Sequence, residues 1–390
     1  MKPDSLLTHL GRDPEKNFGV VNPPIYRAST ILFPDLASFN KRRERKYTGF
    51  SYGINGTPTT FALTEAHAEL EGGFRSLAFS SGLSAITLPL LAFLKQGDHI
   101  LVADTVYGPT RGFCDSVLTR LGVEVTYYDP GLGDGIGALF RPTTRVVFCE
   151  SPGSLTFDIQ DIPAIADVAH RKGAVVFLDN TWATPLYFRP FDHGVDVSLY
   201  AGTKYLGGHS DLMIGIATAG SEEHFKTIKD SVAAFGDCVS PDICYEALRG
   251  MRTMGVRLRH QEQSALTVAN WLATRPEVKR VLHPALPDHP GHGLWKRDFK
   301  GSSGLFAILL RTGDEAAIAA MIDHLTFFGI GASWGGFESL IIPADPGPMR
   351  TAVPWQEEGY LLRLNIGLED VSDLIEDLSV GLDRLNAALQ

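Results

Sequence analysis

Polar side chains that could do chemistry follow several apolar runs in the first half of the chain. The runs are SLAFSSG, DHILVAD, TRVVFCE, AVVFLDN and VDVSLYAG. The residues at or just after their ends are Ser80, Ser81, Gly82, Tyr107, Glu150, Asp179, Asn180, Thr203 and Lys204. Open α/β sheets bind ligands outside the carboxyl ends of their strands, so we expect these residues to face one crevice.

Lys204 is the least expected member of this set. It lies among small residues in AGTKYLGGHSD, directly after an apolar run, although an ammonium group is costly to desolvate. Taken singly, the residues have plainer explanations: a surface position for Lys204, a helix cap for Asp179 and packing for Tyr107. For Glu150, a structural role at the strand end and support for the site both stay open. The combination is more specific than its parts.

Together these residues match the requirements of pyridoxal 5′-phosphate. A lysine in a partly desolvated pocket has a lowered pKa and can form a Schiff base with the cofactor aldehyde. Asp179 can pair with the pyridine nitrogen and keep it protonated, so that the ring accepts electrons. Tyr107 can stack on the ring, and the helix that begins in SSGLSAI can bind the phosphate with its N-terminal N–H groups. We therefore expect this cofactor.

The elements that position these residues follow an α/β pattern. From about residue 59 to 220, apolar runs alternate with helical patterns such as SAITLPLLAFLK and DIPAIADVAHRKG. Runs without strict alternation indicate strands covered on both faces, so we expect a mostly parallel sheet. After about residue 240, a long helical stretch precedes SGLFAILLRT, DEAAIAAMIDHL, LLRLNIG and an amphipathic helix at 371–388. This order predicts a smaller α+β domain with an antiparallel sheet.

The chain divides into three parts in this interpretation. Residues 1–56 are rich in Pro, Gly and charge and predict an extended N-terminal arm, of a kind that commonly drapes over a neighbour. Residues 57–245 form the predicted cofactor-binding domain, and residues 246–390 form the predicted C-terminal domain. A chain of 390 residues exceeds what one hydrophobic core usually serves.

Composition excludes several other classes of protein. The 35 basic and 45 acidic residues give a net charge of −10, which argues against nucleic acid or an anionic membrane as the main partner. Four cysteines without a CxxC pair do not make a disulfide framework. No apolar run has signal-peptide or membrane-spanning character, so we expect a cytoplasmic protein. The Pro-rich segment HPALPDHPGH has histidines but no acidic or cysteine partners for zinc, so we expect a loop and no metal.

The motifs resemble those of a known family. YAGTKYLGGHSD, SSGLSAI, DTVYGPT, FLDNTWATP and RLNIGLED are similar to motifs of the Cys/Met metabolism (trans-sulfuration) enzymes, which depend on pyridoxal phosphate. The resemblance covers nearly the whole chain and implies the aspartate-aminotransferase-like fold, fold type I. Within the family, ESPGSLTFDIQDIPAI, DNTWATPL and SWGGFESL resemble the β-cleaving lyases. This implies β-elimination of L-cystathionine to homocysteine, pyruvate and ammonia in methionine biosynthesis.

The resemblance also implies roles for individual residues. Lys204 carries the cofactor and moves the proton, Asp179 binds the ring nitrogen, and Tyr107 stacks on the ring. The implied phosphate contacts are Ser81, Gly82, Leu83, Thr203 and, from the arm of a neighbouring chain, Tyr52. Arg363 clamps the substrate α-carboxylate through a bidentate pair, and the implied substrate wall consists of Ser333, Trp334 and Asn180. A shared Tyr52 requires a homodimer, and the family implies a homotetramer.

Some positions depart from the family pattern. Ile54 and Asn55 stand where relatives carry arginines, Ala201 where many have a phosphate-binding serine, and Ala332 where some have a tyrosine. Candidates to replace the arginines are Arg43, Arg45 and Lys46. The substrate therefore stays open between cystathionine, other cysteine S-conjugates and the substrates of γ-lyases or γ-synthases. A cofactor-binding regulator is a further alternative, although the chain shows no helix-turn-helix signature.

Overall fold

The N-terminal part of the chain is largely extended. The computed structural model describes residues 1–390, and this part contains only two short α-helices, α1 (Pro3–His9) and α2 (Leu36–Asn40). The sequence indicates an arm without packing, but the first residues do pack. Leu7 is buried, and its carbonyl accepts a hydrogen bond from Arg252. The following residues up to 56 are mostly exposed.

The central part of the chain forms a seven-stranded sheet with helices packed against it. In chain order its elements are α3 (Pro58–Glu71), β1 (Arg75–Phe79), α4 (Gly82–Phe93), β2 (His99–Ala103), α5 (Gly108–Phe113), β3 (Glu124–Tyr128), β4 (Thr144–Glu150), α6 (Ile162–Arg171), β5 (Val175–Asp179), α7 (Thr184–Tyr187), β6 (Val197–Tyr200), β7 (Gly215–Ala219), α8 (Glu222–Phe235) and α9 (Pro241–Met251). The strand order is β1-β7-β6-β5-β4-β2-β3. Only β7 runs antiparallel to its neighbours. The predicted mostly parallel sheet is confirmed.

Apolar side chains on both faces bury the middle of this sheet. Every residue of β2 is buried, and so are the central residues of β4 and β5. Parallel strands of this kind end at the same edge of the sheet, where their last residues become neighbours. Glu150 at the end of β4 pairs in register with Asp179 at the end of β5. The edge therefore collects the polar residues that the sequence places after the strands.

The strand β7 has no counterpart among the strands that the sequence predicts. Its sequence, GIATA, consists mostly of small residues with weak strand preference, yet all five are buried. The space explains their size: a Cβ at Gly215 would lie 2.2 Å from the carbonyl oxygen of Ser81. Close packing against the start of α4 selects these residues and hides the strand from pattern reading.

The C-terminal part of the chain forms a second, five-stranded sheet. Its elements are α10 (Met254–Ala273), β8 (Val278–Leu282), α11 (His292–Asp298), β9 (Leu305–Leu310), α12 (Glu315–Ile322), β10 (Phe328–Gly329), β11 (Ser339–Ala344), β12 (Tyr360–Asn365) and α13 (Val371–Ala388). The order is β10-β11-β12-β9-β8, and only β10 and β11 pair in parallel. The long helical stretch of the sequence is two helices, α9 and α10, and the strands β8, β10 and β11 were not predicted. The domain boundaries stay a prediction.

Two further features bear on the class of protein. None of the helices combines the length and the apolar character needed to cross a bilayer. All four cysteines are free thiols, three of them buried. The segment HPALPDHPGH is a loop, in which the Nδ1 atoms of His283 and His289 accept main-chain N–H groups two residues further on.

Candidate active site

A cavity of about 370 Å³ opens at the carboxyl edge of the large sheet, and residues of the small sheet form part of its wall. It collects residues that are far apart in the chain and that the sequence analysis singles out. Its lining residues include Ser81, Gly82, Leu83, Tyr107, Glu150, Asp179, Thr203, Lys204, Trp334 and Arg363. The structure thus brings the lysine, the carboxylate, the aromatic ring and the helix N-terminus into one place.

Lys204 projects into this cavity from the turn after β6. Its ammonium group donates a hydrogen bond to the hydroxyl of Ser333 and lies 5.2 Å from the centre of the Trp334 ring. Burial and the positive charge of Arg363 lower the pKa of Lys204 to about 8, against the opposing effect of Asp179. A lysine in this range is readily deprotonated, so it can serve as nucleophile and as base.

Asp179 is the last residue of β5, and its carboxylate is fixed from one side. Its Oδ1 accepts hydrogen bonds from the N–H and the hydroxyl of Thr181, at 3.0 Å and 2.5 Å. Burial raises the pKa of Asp179, while the Thr181 bonds and the charge of Lys204 act to lower it. A buried carboxylate of this kind favours a cationic partner, such as a protonated ring nitrogen.

The start of α4 forms an anion-binding end of the cavity. Ser81 caps the helix, because its hydroxyl accepts the N–H of Ser84 at 3.1 Å. The N–H groups of Gly82 and Leu83 stand in the first turn, where an α-helix offers no internal acceptor. A Cβ at Gly82 would lie 2.7 Å from the Cβ of Ala201. This close approach keeps side chains away from the start of the helix, so an anion can reach its N–H groups. Free N–H groups at a helix N-terminus bind phosphate.

Arg363 adds a guanidinium group to the lining of the cavity. It lies on β12, and its Nη2 donates to the carbonyl of Ser333 at 2.7 Å, while its buried Nε has no partner. Burial lowers the pKa of Arg363 to about 10. Ser333 has a φ of +80°, and the turn around it is held by Asn365, whose Oδ1 accepts the N–H of Gly335 at 3.0 Å. Arg363 lines the cavity, and a guanidinium group in this position is suited to a carboxylate ligand.

Two residues of the predicted site are bonded within the protein, and a third lies outside this chain's own cavity. The Thr203 hydroxyl accepts the N–H of Ile214 at 3.0 Å and lies 3.2 Å from the carbonyl of the same residue. Asn180 is fully buried and donates to the carbonyl of Phe188 at 3.0 Å, so its side chain does not reach the cavity. Tyr52 is 51% exposed in the arm and does not line this chain's own cavity.

The positions that depart from the family pattern show no substitute for the missing arginines within this chain. Ile54 is exposed, and Asn55 donates to the hydroxyl of Ser51. Lys46 pairs with Asp230, their charged atoms 2.6 Å apart, and neither Arg43 nor Arg45 lines the cavity.

Glu150 takes a larger part in the site than its sequence position indicates. Its Oε2 accepts the main-chain N–H of Tyr107 at 2.6 Å, and it is the register partner of Asp179 across β4 and β5. Burial raises the pKa of Glu150 well above its ordinary range, and the charge of Asp179 adds to the effect. Two neighbouring buried carboxylates do not both ionise easily. The sequence does contain a signal for this role, because the neighbouring strands β4 and β5 both end in an acidic residue.

Replacing Glu150 with glutamine tests this protonated state through stability. Folding raises the pKa of this carboxyl group. Its contribution to the stability of the native state is therefore fully present below the unfolded pKa, ordinarily 4.5, and is lost as the pH rises toward the folded pKa. We therefore expect the melting temperature of Glu150→Gln, relative to the unchanged protein, to rise from pH 5 to pH 8.

Glu150→Ala serves as the matched comparison in the same thermal unfolding series. It also removes the acceptor for the Tyr107 N–H, so it should melt below Glu150→Gln at both pH values. A difference between Glu150→Gln and the unchanged protein that stays constant with pH would contradict a protonated Glu150.

The residues of the cavity fit pyridoxal phosphate. The close contact at Gly82, the unfilled N–H groups of α4, the buried carboxylate of Asp179 and the amine of Lys204 form the donor set that this cofactor needs. Tyr107 is half-exposed on the cavity wall, so its ring can lie against a planar ligand.

Comparisons with known proteins agree with this site. A family model described as Cys/Met metabolism PLP-dependent enzyme matches residues 4–383. A putative cystathionine β-lyase of Rhizobium johnstonii is 52% identical over 385 residues, covering 98% of this chain and 96% of the relative. Cystathionine β-lyase MetC of Escherichia coli is 42% identical over 391 residues, covering 98% and 99%.

Two further relatives carry other names. An L-alanine/L-glutamate racemase of a Wolbachia pipientis strain is 43% identical over 400 residues, covering 99% of this chain and 98% of the relative. The crystal structure of a cystathionine γ-synthase from Xanthomonas oryzae, in complex with aminoacrylate and cysteine, superposes with a TM-score of 0.91 at 32% identity and covers 99% of both chains. Similarity of this extent is compatible with more than one reaction at the same fold.

Proposed function

Since the chain belongs to the Cys/Met metabolism PLP-dependent enzymes, we propose that it cleaves the Cβ–S bond of L-cystathionine by β-elimination and releases homocysteine, pyruvate and ammonia. The observation that carries the proposal is the amine of Lys204, with its lowered pKa, in one cavity with Asp179 and Arg363. The choice of a β-lyase is supported by the names of relatives that match nearly the whole chain.

The fit of the site assigns each part of pyridoxal phosphate to a protein group. Lys204 would bind the aldehyde carbon, Asp179 the ring nitrogen, and the N–H groups of Gly82 and Leu83 the phosphate, with Tyr107 against the ring. When bound, the cofactor supplies an electron sink for the electron pair left at Cα.

The side chains of the cavity then perform the proton transfers. The amine of Lys204 removes the Cα proton of the substrate, and the guanidinium group of Arg363 orients the α-carboxylate. Burial raises the pKa of Tyr107 above its ordinary value, so its phenol keeps its proton and can donate it to the leaving sulfur, as can Lys204. Trp334 and Ser333 contact the ammonium group of Lys204 and form the side of the cavity next to it.

Product analysis with purified protein tests the reaction. We expect L-cystathionine to yield pyruvate and homocysteine, with pyruvate identified by chromatography of its hydrazone. Formation of 2-oxobutyrate and cysteine would indicate γ-cleavage instead. Failure to convert any thioether amino acid would refute the lyase and leave an amino-acid racemase or a cofactor-binding regulator.

Amino-acid racemisation is a second candidate, favoured by the racemase that is 43% identical to this chain. It begins with the same removal of the Cα proton by Lys204 and ends with return of a proton to the opposite face, which Tyr107 could provide. Incubation with L-alanine followed by chiral chromatography distinguishes the two. D-alanine formed faster than pyruvate forms from cystathionine would favour the racemase.

We further propose a homodimer that shares its sites, assembled into a homotetramer as the family resemblance implies. The arm is suited to contact a partner chain, because it exposes large apolar side chains whose hydration is unfavourable. They include Phe18, Val20, Leu32, Leu36 and Tyr52. A second copy is the fitting occupant, since Tyr52 lies outside the cavity of its own chain while the implied role of Tyr52 is in a cavity.

Mixing two inactive variants tests the sharing of sites. Tyr52→Phe and Lys204→Ala would each lack one group of the site. If Tyr52 acts in the neighbouring chain, a hybrid dimer contains one site with both native residues, so subunit exchange should produce activity above that of either parent. Exchange without any gain, shown by mass-tagged subunits, would place Tyr52 and Lys204 in the same chain's site.

A further inference from the structure

A segment between the two sheets closes one side of the cavity. Residues 345–359 connect β11 to β12, and we call the first part of this connection, residues 345–355, the strap. Met349 is the strap residue that lines the cavity, whose lining also includes Tyr107, Pro109 and Leu155. Its position is tight, because a Cβ at Gly108 would lie 3.0 Å from the Met349 sulfur.

Asp104 holds the strap from the large sheet. It follows β2 directly, is 1% exposed, and its carboxylate accepts the N–H groups of Thr351, Ala352 and Val353, each at 3.0 Å. Burial acts to raise the pKa of Asp104, but these bonds keep it below the ordinary value. Three consecutive main-chain donors on one ionised carboxylate fix the course of the strap.

Two arginines complete the attachment. Arg111 donates from Nη1 to Asp104 Oδ1 at 2.9 Å and to the carbonyl of Met349 at 2.6 Å. Arg350 donates from Nη1 to the carbonyl of Asp104 at 2.7 Å and from Nη2 to the carbonyl of Ser154 at 2.9 Å. Both guanidinium groups are occupied within the protein, so the strap presents the thioether of Met349, and no cation, to the cavity.

We propose that Met349 determines specificity for the substituent on the substrate sulfur and that Asp104 is the positioning residue that keeps Met349 in the cavity wall. The proposal rests on the proposed lyase function. The cationic groups of the cavity, Lys204 and Arg363, suit the amino-acid end of a substrate. The apolar wall of Met349, Leu155 and Pro109 suits the methylene groups attached to the sulfur, and a methionine adapts to their shape.

Substrates with long and short leaving groups test the role of Met349. In Met349→Ala, kcat/KM for L-cystathionine is expected to fall about tenfold, because an apolar contact is lost. The kcat/KM for β-chloro-L-alanine, which has a single-atom leaving group, should stay close to the native value. Met349→Leu conserves volume and should retain both values. Equal losses on both substrates in Met349→Ala would overturn the proposal, whereas a native protein that turns over neither would refute the lyase function itself.

Trypsin cleavage after Arg350 tests the role of Asp104 without any activity measurement. Arg350 is only 8% exposed, so the bond should resist trypsin in the native holoenzyme. Asp104→Asn removes the charge and places an amide donor against main-chain N–H groups, so cleavage should accelerate and the substrate preference should shift in the direction of Met349→Ala. Asp345→Asn, an exposed strap position whose Oδ1 accepts the N–H of Gly347, is the control. An unchanged cleavage rate in Asp104→Asn would contradict the positioning role.

Discussion

Replacing Lys204 with alanine is expected to remove both the visible absorption of bound pyridoxal phosphate and the turnover of substrate. The amine lies half-buried in the cavity, and burial together with Arg363 lowers the pKa of Lys204 to about 8. Alanine provides neither the covalent attachment nor the base. Since general-base catalysis alone contributes up to about 10⁴-fold, we expect kcat to fall by at least that order. The visible absorption band of the bound cofactor and a keto-acid assay provide the two readouts.

Lys229→Ala is the matched control for this variant. Lys229 is also half-buried, and burial also lowers its pKa, but it lines a different cavity beside Phe61 and Arg75. It should keep the absorption band. A Lys204→Ala protein with native absorption and turnover would end the assignment of Lys204, while loss of the band in both variants would point to a general effect on folding.

The residues that cluster at the carboxyl edge could be predicted from the sequence because the rule behind them is local. A run such as AVVFLDN shows where a buried strand ends, and parallel strands end at one edge. This rule predicts, without any long-range contact, that Asp179, Tyr107 and Lys204 face one crevice. The same rule brought in Glu150, but its bond to the Tyr107 N–H depends on the register of β4 with β2 and β5.

Other features could not be read from the sequence because distant contacts decide them. Asn180 has the expected residue type, yet packing turns its side chain toward the carbonyl of Phe188. Thr203 lines the cavity, but its hydroxyl is bonded to the main chain of Ile214. The bonds between Asp104 and the strap join residues about 250 positions apart. No local pattern predicts that an aspartate after one strand receives the N–H groups of a loop in the other sheet.

Asp179→Asn is expected to abolish most of the activity without weakening the fold. Asparagine keeps an oxygen for the N–H and hydroxyl of Thr181, but it is neutral and cannot hold a ring nitrogen cationic. By analogy with loss of one preorganised electrostatic group, we expect kcat to fall about 10²- to 10³-fold. Because burial raises the pKa of Asp179, removing the charge relieves a desolvation cost, so the melting temperature of the cofactor-free protein should stay equal or rise.

Asp196→Asn is the control variant. It distinguishes loss of the carboxylate in the cavity from loss of an aspartate elsewhere beside the sheet. Asp196 accepts the N–H of Val176 at 2.7 Å and pairs with His170 at 2.9 Å, outside the cavity. That variant should lose stability, because the bonds of Asp196 to the Val176 N–H and to His170 are weakened, and should keep its kcat. The two variants thus predict opposite patterns in the same pair of measurements, kcat and melting temperature. Native kcat in Asp179→Asn would show that the carboxylate is a structural cap of the Thr181 turn and not the partner of the cofactor ring.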